Sequence, residues 1–208
     1  VVQADQRRPR ARKQPAEVRR ETLVDAAVRV FARTPYRAAG TAEIAREAGV
    51  TEPTIYRHFA SKRELYLAAL ARTCARVREE WVRIIDAGGR ADRTLMALGA
   101  WYERSLTTDP DPIRLRMRAT AEAEDEDVRT LLRDGYAEVQ RLSLGVIRRG
   151  QEQGVFDARA DAEAIACLWM GIGQVLDLNM MLYGAPCDPA GEAGLGPEFL
   201  RLLGVPRP

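Results

Sequence analysis

Histidine is almost missing from this chain, His58 being the only one. Cysteine is scarce as well: Cys74, Cys167 and Cys187 are scattered and form no CxxC pair. A structural zinc site draws on about four Cys and His ligands, and no such set can be assembled, so no metal is expected. Cys74 and Cys167 fall on apolar helix faces, where a cysteine serves most often as a small core residue, and a reducing cytoplasm fits this usage. No GxSxG elbow and no phosphate loop occurs. The acids from Glu122 to Asp127 read as a solvated run and not as paired catalytic carboxylates. These absences argue against an enzyme and against a bound cofactor. There is also no signal-peptide core, and no run approaches the ~18 apolar residues of a membrane span, so neither secretion nor membrane association is expected. Strand alternation, internal repeats and coiled-coil heptads are lacking too.

The charge that is present is unevenly placed. The 208 residues carry a net charge of only +2. Residues 1–63 hold 14 Lys and Arg against 7 Asp and Glu, whereas residues 64–208 hold 18 against 23. A basic front and an acidic remainder suit a polyanionic partner at one end. Lys13 and Lys62 are the only lysines, an arginine bias that GC-rich coding explains without any function. Residues 1–15 are polar, basic and proline-bearing. They read as a flexible arm, either tracking phosphates or forming a tail without specific contacts.

Apolar residues recur at three- and four-residue spacing through the rest of the chain. A first helix runs from about Ala16 to Arg33. A long one, about 25 residues and roughly 37 Å, opens at the capping box Ser61-Lys-Arg-Glu64 with Leu67, Leu70, Cys74, Val77, Trp81 and Ile84 along it. Further helices are expected over about 91–107, from a cap at Asp111 with Pro112 first in the helix, over about 128–150, from an Asp161 cap to about Tyr183, and over 197–203. Residues 184–197 read as a loop. The helix after Asp161 is apolar nearly all round, which implies burial on more than one side, by its own core, a second subunit or a ligand. Gln174, Asp177 and Asn179 are polar exceptions within it.

The most specific segment is GTAEIAREAGVTEPTIYRHFASKRELYLAAL, residues 40–70. Thr41 is a good N-cap, and Ile44, Ala45 and Ala48 share a face. Gly49 permits the left-handed backbone that stops a helix, and Val50 plugs the turn. Thr51 caps the next helix, with Pro53 tolerated in its first turn. Ile55 and Phe59 point inward, so Pro53 and Arg57 point outward at roughly 100° per residue, flanked by Thr54 and Tyr56, with Glu52 at the N-terminal end. A carboxylate, a hydroxyl, a phenol and a guanidinium suit base edges and phosphates, although a solvated surface helix can share this composition. The layout is that of a helix-turn-helix DNA reader.

Residues 22–70, about a quarter of the chain, resemble the N-terminal pattern of the TetR-type transcriptional regulators. The diagnostic pieces are AAVRVFA, TAEIAREAGV and TIYRHFASKRELY. The resemblance implies an all-α fold of about nine to ten helices. A helix-turn-helix DNA-binding domain would occupy residues 16–63 and a ligand-binding and dimerisation domain residues 64–208. It also implies a homodimer on a palindromic double-stranded DNA operator, a repressor released by a small, mainly apolar effector. Glu52, Pro53 and Thr54 would meet bases; Thr41, Tyr56, His58 and Lys62 would meet phosphates; Arg57 could do either. Thr51 completes this candidate surface. The late helices, about 160–203, would pair across the two-fold axis. Trp81, Met96, Trp101, Tyr102, Met117, Tyr136, Trp169, Met170 and Gln174 lie on helices that enclose the ligand in that family, though such residues at helical spacing are often plain core. The rival reading is a ligand-independent DNA-binding or architectural protein, whose helices beyond Gly88 only dimerise.

Overall fold

In the computed structural model, residues 16–184 and 195–205 are described. Among them the chain forms nine α-helices and no strand: α1 (Ala16–Arg33), α2 (Thr41–Glu47), α3 (Glu52–Tyr56), α4 (Lys62–Asp86), α5 (Ala91–Thr108), α6 (Asp111–Thr120), α7 (Glu126–Glu152), α8 (Ala162–Tyr183) and α9 (Leu195–Leu202). The arm, residues 1–15, lies outside the described residues, as do Cys187 and most of the loop after Gly184.

Side chains cap the starts of α4, α7 and α8. Ser61 accepts from the Glu64 amide at 3.1 Å. The returning bond to the Glu64 carboxylate comes from the Ala60 amide at 2.6 Å, one residue earlier than a simple capping box requires. Asp125 caps α7 and Asp161 caps α8, each accepting from two amides of the first turn. The start of α6 differs from expectation. Pro110 already has helical backbone angles and occupies the cap position, so Asp111 and Pro112 are the first two helical residues and Asp111 caps nothing.

Two main clusters form the interior. The first joins Leu23, Ala27, Val30 and Phe31 of α1 to Ile44, Ile55 and Phe59 of the α2–α3 region. It also takes in Leu65, Tyr66, Ala69 and Leu70 of α4, Leu115 and Ala119 of α6, and Val128 and Leu132 of α7. Apolar packing therefore continues across position 63 without a break. The second cluster gathers Trp81, Leu95, Leu98, Ile147, Phe156, Trp169 and Phe199 at the far end of α4. There α7 needs a glycine: a β-carbon on Gly150 would stand 2.1 Å from the Phe156 ring. The 25 residues of α4 run through both clusters.

Helix α8 corrects two expectations. Its 22 residues are long and apolar enough, by length and composition, to cross a membrane, contrary to the view that no run reaches that length. Only about a third of its most apolar window is buried within the subunit. Ile165, Trp169, Leu176 and Met180 point into the interior. Leu168, Val175, Leu178, Met181 and Leu182 are exposed, Leu168 by 65% and Leu182 by 64%. Cys167 shares that outer side and is exposed, so it is not a core residue. One helix cannot hide a fully apolar circumference in a single interior face.

Candidate functional site

The turn between α2 and α3 is closed by backbone bonds. The Val50 amide donates to the Ala45 carbonyl at 2.9 Å and the Gly49 amide to Arg46 at 3.1 Å. Gly49 has φ +67°, a left-handed conformation that a β-carbon disfavours. Val50 packs, half-buried, on the first cluster. Thr51 holds the cap position of α3 with extended backbone angles, but its hydroxyl pairs with the Thr54 hydroxyl at 3.1 Å instead of capping an amide. Ile55 and Phe59 are fully buried, as their spacing predicts.

The outward side is smaller than a helical wheel suggests. Thr51, Pro53, Tyr56 and Arg57 are exposed, Tyr56 by 51%, while Glu52, His58 and Lys62 are half-buried. Thr54 is buried, contrary to its expected outward placement. The Arg57 guanidinium folds back over it and donates to its hydroxyl at 2.8 Å. Thr41 is also buried and is not an N-cap: Gly40 takes that position and Thr41 is the first residue of α2. The Thr41 hydroxyl instead donates across to the Glu52 carboxylate and lies 3.2 Å from the Tyr56 hydroxyl. Glu52 thus ties the start of α2 to the start of α3.

Lys62 is anchored as well. Its ammonium donates to the carbonyls of Tyr36 at 2.8 Å and Ala39 at 3.0 Å and stands 4.6 Å from the centre of the Tyr36 ring. One of its three protons is left for another acceptor. Behind α2, Glu47 accepts from Arg29 at 2.7 Å and Arg33 at 2.8 Å. Bonds from both guanidinium groups hold its carboxyl below the usual carboxylate range. The result is a braced two-helix unit that offers a phenol, a guanidinium and an ammonium on one side, groups that bind phosphates and base edges.

A second feature lies farther along α4, beside Cys74, Val77 and Trp81. A cavity of about 90 Å³ opens between α4, α5, α6, α7 and α8. Of the nine residues expected around a ligand, Trp81, Tyr102, Tyr136, Trp169, Met170 and Gln174 line it. Met96, Trp101 and Met117 do not. Met96 packs beside Gly196, Met117 joins the Leu106–Ile113 cluster, and Trp101 faces a charged groove with Arg76 and Glu79.

The polar equipment of this cavity includes residues that periodicity did not single out. Asp177, 3% exposed, accepts from the Tyr102 hydroxyl at 2.5 Å. Burial pushes the Asp177 carboxyl up, against the pull of Tyr102 and Arg116. Burial also pushes the Tyr102 phenol far up. Arg116 is 8% exposed, yet no hydrogen bond or ion pair satisfies its buried Nη1. The indole Nε1 of Trp81 is likewise buried without an acceptor. Gln174 and Glu103 are exposed and stand at the rim.

Comparison with known proteins agrees with this geometry. Residues 23–69 match the family model described as bacterial regulatory proteins, tetR family. The chain is 51% identical over 63 residues to the HTH-type transcriptional activator FasR of Mycolicibacterium smegmatis, covering 30% of this chain and 29% of that protein. It is 35% identical over 81 residues to the HTH-type transcriptional regulator BetI of Rhizobium meliloti, covering 39% and 40% of the two chains. The alignments thus span well under half the length of these relatives.

Solved structures align along nearly the whole chain. A TetR family regulator from Agrobacterium tumefaciens superposes with TM-score 0.77 at 17% identity, covering 90% of this chain and 98% of that one. A Saccharomonospora viridis regulator in complex with choline gives 0.72 at 24% identity, covering 90% and 94%. FadR from Bacillus subtilis in complex with stearoyl-CoA gives 0.71 at 18% identity, covering 88% and 96%. At these identities the structures establish a shared fold.

Proposed function

We propose that this chain is a member of the tetR family of bacterial regulatory proteins and acts as a homodimeric repressor released from a palindromic operator by a small effector. Residues 16–63 form the DNA-binding domain and residues 64–208 the ligand-binding and dimerisation domain, working in the cytoplasm. The observation that carries the DNA-binding reading is the braced α2–α3 unit with Tyr56 and Arg57 exposed at its outer edge. Tyr56, His58 and Lys62 serve phosphates, Pro53 and Arg57 approach bases, and Thr41, Glu52 and Thr54 hold these groups in place. The relatives matched over this region are named as transcriptional regulators.

The half-bare α8 supports the dimer. Leu168, Val175, Leu178 and Leu182 recur at spacings of seven, three and four residues, which puts them on one stripe. Pairing that stripe with a second copy, together with α9, places two reading heads on one face of DNA. A palindrome needs them about 34 Å apart.

The cavity supports effector control over the ligand-independent alternative, because two buried donors without acceptors are costly unless something fills the space. The effector has to favour a dimer state whose heads no longer fit the operator. Moving the population from mostly bound to mostly free takes about 5 kcal/mol of differential affinity.

Selection of duplexes from random DNA, followed by footprinting and light scattering, tests the reading. The expected result is a dimer protecting a two-fold symmetric site. A chain that remains monomeric, or that binds every duplex equally at moderate salt, overturns it.

A further inference from the structure

We propose that the effector is an elongated amphipathic carboxylate, with its anion on Arg116, an apolar body in the cavity and an acceptor atom within reach of the Trp81 indole N–H. This inference rests on the effector-controlled reading and specifies its chemistry.

Three observations carry it. First, Arg116 is a guanidinium nine-tenths buried in the cavity wall, and its Nη1 has no hydrogen-bond partner. An arginine keeps its charge under all ordinary conditions, and a buried unpaired charge is strongly unfavourable. The nearby carboxyl, Asp177, attracts Arg116 across the cavity but has its Oδ1 on the Tyr102 hydroxyl and leaves Nη1 without a hydrogen bond. Burial also holds that carboxyl toward its neutral form. A carboxylate brings both the charge and the two acceptor oxygens that match a guanidinium edge.

Second, Trp81 offers a donor at a separate place. Arg116 lies in the electrostatic neighbourhood of Cys74, Tyr102, Tyr136 and Asp177. Cys74 and Trp81 are seven residues apart on α4, about 10 Å along its axis. The two unsatisfied donors thus call for a ligand with oxygen atoms at both ends. Third, much of the cavity lining is apolar, Val77, Leu98, Val139, Trp169 and Ile172 among it. A quaternary ammonium such as the choline bound by the S. viridis neighbour would meet repulsion from Arg116. The acids in view are Asp177, which accepts from Tyr102 inside, and Glu103, which is exposed at the rim.

The test uses the full chain and four probes of matched length: decanoate, 10-hydroxydecanoate, methyl decanoate and decanamide. Calorimetry reads binding, and electrophoretic mobility on the selected operator reads DNA release. Decanoate and 10-hydroxydecanoate are expected to bind at least 30-fold more tightly than the two neutral probes, the scale of a charge-assisted hydrogen bond. Arg116→Met is expected to abolish that preference and Arg116→Lys to keep part of it. Trp81→Phe is expected to weaken 10-hydroxydecanoate several-fold while leaving decanoate unchanged. Folding is checked by melting without ligand, where Arg116→Met is expected to melt no lower than wild type because it removes an uncompensated buried charge.

Equal or better binding of the neutral probes overturns the carboxylate, and their release of DNA would leave effector control standing. Carboxylate binding that depends on Arg116 but leaves DNA bound supports the inference and removes effector control. Carboxylate binding that survives Arg116→Met, or no binding by either carboxylate, overturns the inference.

Discussion

Arg116 and Arg118, two residues apart on α6, point to opposite sides of that helix. Arg116 enters the cavity wall, while the Arg118 Nε donates to the carbonyl of Ala32 at 2.9 Å, near the end of α1. Leu115 and Ala119 seat the same helix in the cluster that supports α2 and α3. One short helix therefore touches both the cavity and the base of the α2–α3 unit. A second tie lies at the start of α4, where Arg63 donates to Asp125 at 2.9 Å and to Asp127 at 2.7 Å. Any shift of α6 forced from the cavity reaches α1 through a hydrogen bond and packed side chains.

Arg118→Gln is therefore expected to separate sensing from response. Effector affinity should stay within about two-fold of wild type, because the change lies outside the cavity, while the effector concentration that frees DNA should rise several-fold. Calorimetry and mobility shift on one preparation give both values.

At the reading surface, Tyr56→Ala and Arg57→Ala should each keep the helical content and melting temperature and weaken operator binding by about 1–3 kcal/mol. Footprinting and circular dichroism check the two halves. Thr41→Val should behave differently. It removes the hydroxyl that joins Glu52 and Tyr56, so it should lower stability by about 1 kcal/mol as well as operator affinity, read by urea unfolding beside mobility shift.

Glu47 carries a pH dependence of defined sign. Its carboxyl is held below the ordinary value by Arg29 and Arg33, so on acidification the unfolded chain takes up this proton first. The contribution is complete above the unfolded value and is lost as pH falls through the lower folded value. Glu47→Gln should thus cost about 0.5–1 kcal/mol near neutrality, a partly exposed pair being worth no more. Unfolding curves of the two proteins should converge as the pH drops below about 4.

On α8, Leu168→Glu and Leu182→Glu place charges on the exposed stripe. Each should shift the chain toward monomer in light scattering without lowering its helical content, and operator affinity should fall with the dimer.

The spacing of apolar residues was enough to place α1, α4, α5, α7 and α8, because each is long enough for the 3.6-residue period to show. Ile55 and Phe59 were placed correctly for the same reason. Thr41 and Thr54 were not, because their burial is caused by neighbours from outside their own turn of helix: Glu52 and Tyr56 over one, Arg57 over the other. Cap residues such as Thr41 and Asp111 slipped by one position since a helix can begin wherever the preceding backbone allows it. The cavity arginine had a sequence signal that aromatic-centred reasoning passes over. In DPIRLRMRAT, Arg114 and Arg118 share a side, so Arg116, about 200° away from each, falls on the side of Ile113 and Ala119.

The uncovered stripe of α8 has a consequence for regulation as well as for assembly. If the proposed dimer is the form that grips a palindrome, two copies must meet first, and occupancy of the operator would follow the square of the free subunit level at low abundance. A cell that halves synthesis of this chain would lose about three quarters of its bound sites in that regime. The regulator would then respond steeply to its own gene dosage, even before any effector enters.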